Sequence, residues 1–434
     1  MTEVQLDPYR SRYARRAHGM TTSEIRALFA VATRPEIVSL AGGMPFTAAL
    51  DPEAVTAVTE MVIRESGATA LQYGGGQGVD ALRERLVDVM AAEQVRVHPD
   101  DLLVTNGGQQ GLDLLAKLFC NPGDIVLAEG PSYVGALNAF ASYQGYVIHL
   151  AMDGEGLIPE ALDDTMAALQ QAGRTAKFLY TVPNHQNPAG VSMSAARREA
   201  LIERAQRYDL LLIEDNPYGL LDFKGEQQSC LRTLDPERVI YLGTLSKIFS
   251  PGVRIGWVAA PPPVRRKLTL LKETADLSQS NLTQYVAERW LATQPWLDQV
   301  KDFRELYRER CDAMLEELAL EMPDDCSWSV PTGGFFVWFR LPEGMDSKDL
   351  LPSALRARVA YVPGRAFYAD GSGDREMRLS YCFPPSERIR EGVRRLARVI
   401  EAELDLHRTF GGVDTGSFRA VRPTGIERIG DFPA

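Results

Sequence analysis

Lys247 stands in Gly243-Thr244-Leu245-Ser246-Lys247, just past a short apolar run. A lysine in such a place is, taken alone, more often a solvated loop residue than a reactive one. Its neighbours change the reading. Thr244 and Ser246 put two hydroxyls beside the amine, and Arg254 follows seven residues later. Hydroxyls with a guanidinium suit a phosphate, which arginine grips with two parallel hydrogen bonds. An amine that is partly desolvated near other cations titrates low, as a lysine that forms a Schiff base must. Asp215 closes a second strand pattern, Leu210–Asp215, apolar until its last two residues. A carboxylate there caps the next turn as readily as it faces a ligand; beside a pyridine ring it would keep the ring nitrogen protonated. Tyr218, three residues on, can hydrogen-bond a ring hydroxyl or simply pack.

Two further segments carry polar groups at the right kind of place. Asn106-Gly107-Gly108-Gln109-Gln110-Gly111 lies between a strand pattern and a helix pattern, so its N–H groups and the helix dipole favour an anion. It matches neither GxGxxG nor GxxxxGK[ST], which argues against dinucleotides and nucleotides. Pro183-Asn184-His185-Gln186-Asn187-Pro188-Ala189-Gly190 reads as a turn on structural grounds alone. At a strand end, Asn187 can also point its amide into a cleft. His185 is a loop residue on one reading and a substrate or proton-transfer group on another.

The elements that must position these residues alternate between strand and helix, the signature of an α/β chain with a mainly parallel sheet. Strands are expected over 101–105, 124–128, 143–150, 176–182, 210–215, 238–243 and 255–259. Helices are expected after Gly108, through Leu112, Leu115 and Leu118, and over 194–208 with Ser194 as N-cap. A long charged helix from Trp296 to about Met322 would join two lobes. Strands over 334–340 and 376–381 would belong to the smaller one. The division expected is 1–60, an arm and part of the small domain; 61–295, the large domain; 296–405, the linking helix and small C-terminal domain; and 406–434, an extension.

The net charge of −11 argues against a nonspecific grip on nucleic acid or an anionic membrane. The five cysteines show no CxxC spacing, so neither a metal site nor a disulfide framework is expected, and a reducing cytoplasm suits them. No run approaches the roughly 18 apolar residues of a membrane span, and residues 1–16 lack the apolar core of a secretory signal.

Taken in this order, the segments resemble fold-type I pyridoxal-phosphate aminotransferases, specifically the α-aminoadipate and kynurenine branch. The resemblance runs from about Tyr13 to Leu404. It includes Ser39-Leu40-Ala41-Gly42-Gly43-Met44-Pro45, Leu71-Gln72-Tyr73-Gly74, the segment Thr244 to Trp257, and Met377-Arg378-Leu379-Ser380. It implies a large domain with a mainly parallel seven-stranded sheet plus a smaller α+β domain, and pyridoxal 5'-phosphate held on Lys247. Asp215 would then pair with the ring nitrogen, Asn187 and Tyr218 with the ring hydroxyl, and Tyr133 would stack on the ring. Gly108, Gln109, Thr244, Ser246 and Arg254 would cradle the phosphate, joined by Tyr73 from a neighbouring subunit of a homodimer. Arg378, with Asn187 and Gly43, would hold the substrate, and Arg26 is the candidate selector of an acidic side chain. Gly108 stands where many relatives carry serine. The activity implied is transfer of an amino group between an α-amino acid and a 2-oxo acid, with 2-oxoglutarate and glutamate as one pair. The alternative is another reaction of the same cofactor: β- or γ-elimination or replacement, decarboxylation or C–C bond formation.

Overall fold

The structure is a computed structural model that describes residues 7–18, 34–226 and 228–410. Its strands, in chain order, are Val38–Ser39 (β1), Leu102–Asn106 (β2), Ile125–Gly130 (β3), Tyr146–Asp153 (β4), Gly156–Leu157 (β5), Ala176–Thr181 (β6), Leu211–Asp215 (β7), Val239–Thr244 (β8) and Ile255–Ala259 (β9). β2 to β9 form one eight-stranded sheet in the order β2-β9-β8-β7-β6-β3-β4-β5. β4, β3, β6, β7 and β8 run parallel, and β9 is antiparallel to both of its neighbours. The seven expected strands are all present. The eighth, β5, is two residues hooked antiparallel onto β4, too short to leave a pattern. β4 starts three residues later than expected because Tyr143 and Gln144 still close the preceding helix, Gln144 with φ 59°.

The central strands read as unbroken apolar runs because helices cover both faces of the sheet. Leu103, Ile213, Ile240, Leu242 and Val258 pack against Leu112 and Leu115 of the Gly108–Phe119 helix. Leu179, Leu212 and Val239 turn the other way, toward Leu201 and Ala205 of the Ala195–Arg207 helix. Ser194 occupies the N-cap position of that helix, but its hydroxyl meets Glu155 at 3.2 Å rather than a backbone N–H. A polar partner across the surface outcompetes the local cap.

The C-terminal part adds Ser327–Trp328 (β10), Phe336–Arg340 (β11), Val359–Ala360 (β12), Val362–Pro363 (β13) and Glu376–Ser380 (β14). These give an antiparallel sheet ordered β10-β11-β14-β13, while β12 pairs parallel with β1. The N-terminal segment therefore joins the C-terminal lobe at β1. The Trp296–Glu321 helix buries Phe303, Tyr307, Met314 and Leu318 and lies along the Ser386–Phe410 helix. Arg390 and Arg394 reach across to Glu317. Residues 406–410 continue that last helix; the remainder of the expected extension lies outside the described residues.

What matters for function is the direction of the strands. β2 and β8 are both antiparallel to β9, so β2, β3, β6, β7 and β8 all end at one edge of the sheet. Ligands of open α/β sheets bind beyond that edge. The loops leaving it carry Tyr133, Asn187 and Lys247, while Asp215 ends β7 and Gly108 opens the helix that follows β2.

Candidate active site

These loops enclose a cavity of about 320 Å³. Twelve of the residues expected from the sequence line it: Gly43, Gly108, Gln109, Tyr133, Asn187, Asp215, Tyr218, Thr244, Ser246, Lys247, Arg254 and Arg378. Tyr73 does not; it is 80% exposed on the surface of the chain. Arg26 lies outside the described residues. His185 does not line the cavity either. Its buried ring packs against Gly333 and Gly334, with Nδ1 3.2 Å from the Ser192 hydroxyl, so its place is in the loop framework. Burial holds it neutral, with a pKa pushed down to about 3.

At one end sits the amine. Lys247 Nζ donates to the Gly43 carbonyl at 2.9 Å and lies 5.2 Å from the centre of the Phe335 ring. Burial, with the cations Arg378 and Arg254 nearby, brings its pKa down to about 8. Below it, at the end of β7, Asp215 accepts a 2.7 Å hydrogen bond from the Tyr180 hydroxyl. Burial raises its pKa to about 6; the Tyr180 bond and the Lys247 charge pull the other way. Tyr218 is buried beside it, edge-on to Phe335 and Phe336.

At the other end lies a cationic and hydroxyl-rich cradle. Thr244 Oγ1 is 2.9 Å from Ser246 Oγ and accepts from the Ser246 N–H at 3.1 Å. Arg254 donates only to the carbonyls of Pro251 and Asn106, so among the described residues no carboxylate neutralises it. Gly107, with φ 74°, makes this approach possible: a Cβ there would lie 2.3 Å from Arg254 Nη2. A Cβ on Gly108, in contrast, would meet no atom within 4 Å, so the helix N-terminus faces open space.

The third wall belongs to the C-terminal lobe. Arg378, on β14, is 4% exposed. Its guanidinium donates to Asn187 Oδ1 at 2.9 Å and to the Ala41 carbonyl at 2.8 Å, and stacks 4.1 Å from the centre of the Phe336 ring. Its Nε is buried without a partner. Burial lowers its pKa to about 10. Among the described residues no carboxylate pairs with it, and a buried cation left so, with an unused donor, is costly unless an anion arrives.

The residues present fit a flat ring with an acidic nitrogen at one end and a phosphate at the other. A buried carboxylate, an amine, an anion cradle and a second cation are set round one space. Among the described residues no group of histidine, cysteine or carboxylate side chains could hold a metal, and all five cysteines are free. Sequence reasoning missed Tyr180, Phe336, Met44 and the Ala41 carbonyl. Tyr180 left one signal: a tyrosine inside an apolar run, whose buried hydroxyl needs a partner.

The chain belongs to the class I and II aminotransferases, whose family model matches residues 35–396. It is a pyridoxal-phosphate-dependent aminotransferase of fold type I. Among its relatives, an aromatic-amino-acid aminotransferase of Thermococcus litoralis is 41% identical over 399 residues, 91% of this chain and 95% of that protein. The 2-aminoadipate transaminase of Thermus thermophilus is 35% identical over 398 residues, 91% of this chain and 98% of that one. The crystal structure of Pyrococcus horikoshii kynurenine aminotransferase, solved with PMP, superposes with a TM-score of 0.88 at 39% identity. It covers 92% of this chain and 99% of that one. No helix among the described residues is long and apolar enough to cross a membrane.

Proposed function

We propose that the residues gathered in this cavity divide the work of transamination as follows, with 2-oxoglutarate and glutamate as one substrate pair. When bound, the cofactor supplies the electron sink that lets an amino acid lose its Cα proton. Lys247 would hold it covalently and, as a free amine, would move the proton at Cα; burial lowers the pKa of that amine, which favours its acting as a base. Asp215 faces the ring nitrogen, Asn187 and Tyr218 the ring hydroxyl, and Tyr133 the ring face. Gly108, Gln109, Thr244, Ser246 and Arg254 take the phosphate. Arg378 and Asn187, flanked by Gly43, hold the substrate carboxylate, which fixes the Cα–H bond within reach of Lys247.

The observation that carries this reading is Arg378: a buried guanidinium with an unused N–H, in the same cavity as Lys247. The enzyme acts as a homodimer in the cytoplasm. Support for the dimer is the exposed phosphate end, where Gln109 and Arg254 are uncovered in the single chain and Tyr73 protrudes. The test is an absorbance titration of the purified holoenzyme with a panel of amino acids. Conversion of the lysine-bound cofactor to its amine form, reversed by 2-oxoglutarate, is the expected result and names the donor. Ammonia or CO2 released without that reversible conversion would refute transamination between these partners.

A further inference from the structure

The carboxylate of Glu129 is buried, 1% exposed, and it does not line the active-site cavity. It sits one residue before the end of β3, beneath the loops that carry Tyr133 and Asn187. Three donors converge on it. Thr181 Oγ1 reaches Oε1 at 2.5 Å; the Val182 N–H and Gln186 Nε2 reach Oε2 at 3.0 and 3.1 Å. Among the described residues no cation pairs with it. Burial and the nearby charge of Asp215 push its pKa up, and the three hydrogen bonds oppose them. A carboxylate accepts from all three with its two oxygens; because the two N–H groups share Oε2 and the third partner is a hydroxyl that can also accept, an amide oxygen at the Oε2 position would still serve Val182 and Gln186.

Gln186 passes the constraint on. Its amide nitrogen also donates to the Pro131 carbonyl at 2.8 Å, two residues before Tyr133. Its amide oxygen accepts from the Ala189 N–H at 2.7 Å. Only Asn187 and Pro188 lie between Gln186 and Ala189, so both flanks of Asn187 are tied to one side-chain amide. Asn187 in turn accepts from Arg378.

We propose that Glu129 is a positioning residue: through Gln186 it locks the Asn187 loop to the Tyr133 loop and thereby sets the Asn187–Arg378 pair for a substrate carboxylate. The inference rests on the role proposed above for Arg378. Glu129 touches neither substrate nor cofactor; it acts by fixing where Asn187 holds the guanidinium. A misplaced clamp costs binding and alignment while the phosphate cradle, built on other loops, stays intact.

The test uses the cofactor-loaded enzyme and the amino donor found by titration. Glu129→Ala is expected to raise KM about tenfold or more, with a smaller fall in kcat and the visible absorbance of the bound cofactor retained. Glu129→Gln keeps an acceptor for Val182 and Gln186 and is expected to restore KM to within about threefold of wild type. Gln186→Ala is expected to reproduce the KM shift, and the pair Glu129→Ala with Gln186→Ala to add little to either single change, as for two links of one chain. Should Glu129→Ala fail to fold, the Gln186→Ala shift and the near-normal Glu129→Gln enzyme decide the matter. Unchanged kinetics in Gln186→Ala, full additivity, or a Glu129→Gln enzyme as impaired as Glu129→Ala would overturn the proposal. Arg378→Ala separates the two levels. If it leaves KM unchanged, the carboxylate reading has failed; if it raises KM while the Glu129 and Gln186 variants do not, only the positioning role has.

Discussion

Removal of one oxygen, in Tyr180→Phe, isolates the larger of the two influences, the Tyr180 hydrogen bond and the Lys247 charge, that favour the ionised form of Asp215. The ring stays packed against Phe140, whose centre is 5.6 Å away, so the change deletes the 2.7 Å hydrogen bond and little else. A hydrogen bond to a charged group contributes about 1.5–3 kcal/mol. One pH unit corresponds to roughly 1.36 kcal/mol, so the loss should move the Asp215 pKa upward by about one to two pH units. From about 6 in the wild type, it would come to lie at roughly 7 to 8 in the cofactor-free variant. The direction of the stability effect follows. A carboxyl raised in the folded state stabilises fully below its unfolded value near 3.8, and that contribution is lost as pH rises through the folded value. In the variant the loss extends to higher pH. The assay is a carbon-13 NMR titration of aspartate-labelled apoenzyme, with Asp215→Asn to assign the signal. A midpoint that stays put or falls would refute the claim that Tyr180 stabilises the anion.

Three other outcomes are expected. Lys247→Ala should abolish the borohydride-trapped cofactor adduct and transamination; a trapped adduct on another lysine would remove Lys247 from its role. Gly108→Ser should tighten cofactor retention about tenfold, since its Cβ meets open space and its hydroxyl adds a donor to a charged phosphate, as a dialysis time course would show. His185→Phe should leave KM and kcat near wild type and make the protein more resistant to acid. A histidine lowered to about 3 contributes stability present above its ordinary 6.5 and lost as pH falls toward 3, by at most roughly 5 kcal/mol. A denaturant midpoint with the same pH dependence as wild type would contradict that.

The sheet was legible because its central strands are buried on both faces. A run such as Leu211–Asp215 has almost no solvent side, and its apolar stretch stops at Ile213, two residues before the strand ends in the buried acids Glu214 and Asp215. Lys247, Asp215 and Asn187 were legible for a related reason: a polar residue just past an apolar run sits at the sheet edge where ligands bind. β5 was not, since two residues carry no period. The Ser194 cap was half legible: local pattern fixed the position, and Glu155, 39 residues earlier, took the hydroxyl.

The support behind the site was hidden for a different reason. Glu129, Gln186 and Tyr180 owe their roles to residues on other strands: Glu129 on β3 meets Thr181 on β6, and Tyr180 on β6 meets Asp215 on β7. Parallel neighbours in this sheet are separated by whole helices, so no window of sequence contains both partners. The same geometry explains why cavity-lining groups are easier to find than the groups that place them. A lining residue must be polar where the chain leaves the sheet. A supporting residue needs only a partner, and that partner's identity is settled by strand order, which places β6 between β3 and β7 although β4 and β5 intervene in the chain. Two buried carboxyls, Glu129 and Asp215, thus stand on either side of β6 and receive their hydroxyl bonds from its adjacent residues Thr181 and Tyr180, whose side chains point to opposite faces. One strand, none of whose own residues lines the cavity, thus ties down both the Asp215 carboxyl and the Glu129 carboxyl beneath the Asn187 loop.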